Sequence, residues 1–113
     1  MSLSIYLIEP MCKSCKRADE DYSANITHNL GEMAEKAGIY QHLWRPEELN
    51  IKTAKELVSP LTKGLALLKE KPDYFEKFNS PNGWGLYKHF VPFVAEYLDA
   101  CIRFPDDSIE ISR

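Results

Sequence analysis

A mostly helical α+β domain is predicted by two observations. Amphipathic stripes at three- and four-residue spacings fill the middle of the chain, and alternating segments stand near its two ends. The expected arrangement is three or four helices packed on a two-stranded ribbon made by the first and last segments, over residues 1–113 as one globular domain. A chain of 113 residues buries roughly two-thirds of its unfolded surface, enough for a core without staples.

Ser4 to Glu9 is rich in Ile, Tyr and Leu and is followed by Pro10, so it reads as a short strand with a firm stop. Asn29 with Glu32 three residues on marks a helix start, and Ile26, Leu30, Met33, Ala34 and Ala37 share one face until Gly38 ends it, with Ile39 packing back. Thr53-Ala-Lys-Glu56 matches a capping box and leads into Leu57, Val58, Leu61, Leu65 and Leu68. Ser59-Pro60 interrupts that run, which is therefore one kinked helix or two short ones. A further helical turn is expected from Asp73 to Phe78. The last helix is expected to carry Trp84, Tyr87, Val91, Val94, Leu98 and Cys101 toward the core, with Pro92 as a kink or first-turn marker. After Asp106-Asp107, Ser108 to Ser112 alternates polar and apolar, and it is the natural partner for the first strand.

Composition narrows the function. Acidic and basic residues interleave to a formal charge of -3, with no basic stripe for a phosphate backbone and no polybasic patch, which argues against nucleic acid and anionic lipid as partners. The apolar stretch Leu3 to Ile8 is too short to span a bilayer and lacks the flanks of a signal peptide, so no membrane association is expected. Three cysteines is an odd count that suits free or metal-bound thiols in a cytoplasm.

The sharpest chemical signal is Cys12-Lys-Ser-Cys15, with His28 thirteen residues further on. Thiolates at this spacing reach one zinc ion because the intervening turn folds back, and His28 would be a third ligand. The fourth would come from Asp19, Asp21, Cys101 or solvent. The bland alternatives are idle thiols and a histidine held among Asn25, Thr27 and Asn29 near a helix start. A redox pair is the other reading, since a strand leading into Cys-x-x-Cys also opens thioredoxin-like proteins. Against it, Lys16 to Asp21 offers no apolar helical face and the strand-helix-strand alternation is missing. Lys13, Lys16 and Arg17 would still favour the thiolates. His42 and His89 have no nucleophile or carboxylate at suggestive spacing and read as surface or boundary residues.

Two aromatic segments, Leu43-Trp44-Arg45-Pro46-Glu47-Glu48 and Asn79 to Tyr87, place a tryptophan beside proline or glycine. Trp44, Arg45, Trp84 and Tyr87 are candidate partner-binding residues, because Trp, Tyr and Arg dominate interface energies. The alternative is that both tryptophans anchor loops onto a small core. No phosphate loop, dinucleotide fingerprint or nucleophile elbow is present.

Tyr22-Ser-Ala-Asn-Ile-Thr-His-Asn-Leu30, Leu43-Trp-Arg-Pro-Glu-Glu48, Asn82-Gly-Trp-Gly85 with Tyr87, and Ile111-Ser-Arg113 together resemble a family of small uncharacterised proteins from bacteria and their phages. The resemblance spans nearly the whole chain and implies a single cytoplasmic domain. It brings no assigned activity and no catalytic residues. The expected function is a small non-enzymatic binding or accessory module with an unidentified protein or small-molecule partner, carrying a metal-stabilised knuckle at Cys12, Cys15 and His28. The alternative is a thiol-dependent redox protein using Cys12 and Cys15.

Overall fold

The computed structural model describes residues 2–9, 20–79 and 85–113. Its sheet has three antiparallel strands in the order β2-β1-β3, with β1 at Ser2–Ile8, β2 at Glu20–Thr27 and β3 at Ser108–Ser112. The pairing of first and last strands is as expected, with Tyr6 opposite Glu110 and Leu7 opposite Ile109. The two-stranded ribbon is corrected by β2, which lines the other edge of β1. Tyr22, Ala24 and Ile26 lie on the core side of β2 while Ser23 and Asn25 are exposed, a half-buried strand whose polar residues resemble a capping sequence. Leu3, Ile5 and Leu7 of β1 are fully buried on that same side. On the open face Asn25 donates to the Ser2 and Ser4 hydroxyls at 3.0 and 2.8 Å.

Five α-helices stand among the described residues, one more than the upper expectation: α1 Gly31–Lys36, α2 Tyr40–Trp44, α3 Lys55–Glu70, α4 Pro72–Glu76 and α5 Tyr87–Arg103. Single 3-10 turns precede α1 at His28–Leu30 and follow α2 at Pro46–Leu49. The start signal at Asn29 shifts by two residues, since the Thr27 hydroxyl accepts the Asn29 amide. The stop at Gly38 is as expected: φ is +79°, the Gly38 amide donates to Glu35 and that of Ile39 to Ala34, and Ile39 is buried.

α3 is one continuous helix through Pro60. At its start the Glu56 carboxylate accepts from the Lys52 and Thr53 amides at 2.7 and 3.4 Å, half of the capping box. α5 begins at Tyr87, later than expected, and its first amide is taken by Asn79 Oδ1 at 2.7 Å. Its buried face is Phe90, Phe93, Val94, Tyr97, Ala100 and Cys101, whereas Val91 and Leu98 are only half-buried. The expected stripe is rotated because α5 packs against α3 on one side and β2 on another, so a broader face is covered. One contiguous core joins the sheet to Trp44, Leu57, Leu61, Leu68 and Phe75.

Candidate functional site

Of the residues singled out in the sequence, His28 meets Trp44. The Schellman stop at Gly38 turns the chain directly from α1 into α2, and Pro46 breaks the backbone after Arg45, so α2 carries Trp44 into the core at 1% exposure. Its indole N–H donates to Nδ1 of His28 at 3.2 Å, and its backbone carbonyl accepts from the Arg113 guanidinium at 2.6 Å. Arg113 also reaches the Glu47 carboxylate at 2.8 Å. The Tyr40 ring stacks on the indole, with centroids 5.2 Å apart and planes 9° from parallel. Gly85 joins this corner from the other side: at φ +105°, a Cβ there would stand 2.9 Å from Cβ of Asn29.

Trp44 therefore anchors the corner instead of offering its ring to a partner, the second of the two readings of this residue. His28 is likewise committed. A neutral imidazole has one lone pair on nitrogen, and the Trp44 bond occupies it at Nδ1. Nε2 then carries the proton, buried and without a hydrogen-bond partner among the described residues. Ligating a metal through Nε2 would require His28 to release Trp44. Cys12, Cys15 and Trp84 lie outside the described residues, and among the described residues no group of three or more His, Cys, Asp or Glu is placed to hold a metal ion. Tyr87 is half-buried and tied to α3, its hydroxyl donating to the Leu68 carbonyl at 2.7 Å, and burial raises its pKa.

Arg45 pairs at 3.5 Å with Glu48, which lines a surface cleft. The Tyr40 hydroxyl above all, with Glu48, holds its guanidinium charge more firmly than usual. The cleft measures about 410 Å³ and is lined by Glu35, Gly38, Tyr40, Gln41, His42 and Glu48. Gln41 Nε2 donates weakly to Glu48 Oε1 at 3.4 Å. Burial lowers the pKa of His42, with the Gly38 backbone working in the opposite sense, so at neutral pH this wall is an uncharged imidazole. Its Nδ1 is buried without a hydrogen-bond partner among the described residues. Glu47, just outside the cleft, is held below the usual carboxylate range by its own backbone amide first and by Arg113 second.

Sequence reasoning missed His42, Tyr40 and Glu35. Gln41-His42 carried no spaced partner, and only the fold of α1 onto α2 brings Glu35 across from Glu48. No family model matches this chain, and no curated protein or solved structure matches it either.

Among the described residues no helix is long and apolar enough to cross a membrane.

Proposed function

We propose that this protein is a small non-enzymatic binding module and that its recognition site is the cleft between α1, α2 and the Pro46 turn. The observation that carries the reading is the lining of that cleft. Glu35 and Glu48 face it from two elements, Tyr40 is held rigidly on Trp44, and His42 adds an uncharged imidazole. Carboxylates beside an aromatic face suit a cation, so the occupant is a lysine or arginine side chain of a protein partner. Arg45 limits access to Glu48 and would have to yield part of its ion pair.

The test is an NMR titration of the full chain with N-acetyl-arginine amide, N-acetyl-lysine amide and, as a control, N-acetyl-glutamate amide. The basic probes should shift the amides of Gly38, Gln41, His42 and Glu48, weakly but saturably, and Glu35→Gln should weaken the response. Shifts scattered over the surface, or equal shifts with the acidic probe, would reject the site.

A further inference from the structure

β2 follows β1 residue for residue from Ser2↔Thr27 to Leu7↔Tyr22, but the next pair is Ile8↔Glu20, which leaves Asp21 as a bulge without a strand partner. In a regular strand Asp21 would point away from the core, opposite to Tyr22. The bulge breaks that alternation and re-aims the side chain. The Asp21 carboxyl consequently lies within hydrogen-bonding reach of Asp107.

Asp107 is 4% exposed, the one buried charged residue among the described residues. Its backbone is fixed where three elements meet. The amide donates to Phe104 at 3.1 Å behind α5, and the carbonyl accepts from Ala54 at 2.9 Å ahead of α3. Ser108, the next residue, opens β3, paired with Ile8 and bridged to Thr53. Asp107 Oδ2 and Thr53 Oγ1 are both buried there with no hydrogen-bond partner among the described residues.

Two carboxyl groups in contact at a buried place cannot both ionise, because repulsion and lost hydration together make one of them retain its proton. We propose that buried Asp107 keeps its proton in the folded protein, and that this proton is a pH-sensitive latch holding the bulged end of β2 against the junction of α3 and β3.

Among the described residues, the charges that bear on Asp107 are acidic: Asp21 from β2, Glu9 just after β1, and Asp106 from the turn. On the α3 side Lys52 and Lys55 are exposed and act on Glu56, and on the α5 side Arg103 is engaged by Asp99 at 2.9 Å. Burial first, and the Asp21 contact second, push Asp107 up to about 6. A carboxyl raised in the folded state favours the fold at low pH. Stability should therefore decline as pH climbs from the ordinary aspartate value near 3.8 through about 6, and level off above it.

The experiment is a carboxyl-detected NMR titration of the full chain, with thermal melts of wild type, Asp107→Asn, Asp21→Asn and Asp106→Asn across the same pH range. Asp107 should titrate near pH 6 with the amides of Ala54 and Ser108 moving on the same midpoint. The wild-type melting temperature should fall by several degrees across that transition. Asp107→Asn presents an amide donor to Asp21 that has no proton to lose, so its melting temperature should lack the wild-type decline with pH and should exceed the wild type's above the midpoint. Asp21→Asn makes the same test from the other partner should Asp107→Asn fail to fold. Asp106→Asn should move the midpoint only slightly. An ordinary aspartate midpoint for Asp107, or a wild-type slope in both asparagine variants of the pair, overturns the proposal.

Discussion

The indole N–H of Trp44 and Nδ1 of His28 form a hydrogen bond of 3.2 Å between a buried side chain and the 3-10 turn that precedes α1. It fixes the imidazole tautomer and sets the turn against α2. Trp44→Phe keeps most of the packed ring but removes the donor, leaving Nδ1 without its partner. The expected loss is about 1–3 kcal/mol in a urea unfolding series. Adding His28→Leu should recover part of it, since removing both partners costs less than stranding one. A single variant as stable as the wild type would show that the bond contributes nothing.

Gly64 lies inside α3, where alanine would ordinarily be favoured by about 1 kcal/mol. Here an added Cβ would stand 2.5 Å from Cγ2 of buried Ile39, so the packing term decides the sign. Overpacking of this kind costs about 1–3 kcal/mol, and Gly64→Ala should be destabilising despite its helix propensity. In a double-mutant cycle with Ile39→Ala, the alanine at 64 should become neutral or better. A stabilised single variant would mean that Ile39 moves aside freely.

Arg113 joins the corner from the end of β3, bonding both the Trp44 carbonyl and Glu47. Its guanidinium is part-exposed, so Arg113→Ala should cost only about 1 kcal/mol by chemical denaturation. Arg113→Lys keeps the charge without the planar fork and should lose most of that amount. Equal stability of the lysine variant and the wild type would assign the effect to charge alone.

Cys101 is buried, and that burial pushes its thiol up to about 12. At neutral pH it is protonated and inaccessible, hence unreactive. Iodoacetamide treatment of folded protein followed by peptide mapping should leave Cys101 unmodified, with labelling appearing only as the chain unfolds. Stoichiometric native labelling at that position would contradict the packing of α5.

Where a local rule sufficed, the sequence was legible. Ile109 and Ile111 alternate with polar neighbours, Gly38 with Ile39 makes a Schellman stop, and Thr53 to Glu56 marks the start of α3. β2 was hidden because Asn25 and Thr27 look like capping residues, and a strand of this polarity is stable only beside the apolar β1. Trp44 and His28 of the buried corner were legible as residues and not in their geometry, while Glu35, Tyr40 and His42 of the cleft were not legible at all. Trp44 lies 16 residues from His28 and 69 from Arg113, separations over which no period or motif spacing operates. The bulge at Asp21 is a property of strand pairing and has no signature in the residue itself.

The strand order has a kinetic corollary. β1 sits in the middle of the sheet, and one of its two neighbours is joined to it by contacts such as Ser108 Oγ to the Ile8 carbonyl, across 100 residues of chain. Closing so long a loop is slow compared with forming α3 or the pairing of β1 with nearby β2. Docking of β3 is therefore expected to be the step that completes folding. Until it occurs, one side of β1 shows unpaired amides and carbonyls to every other copy in solution, and the yield of refolding should fall as protein concentration rises.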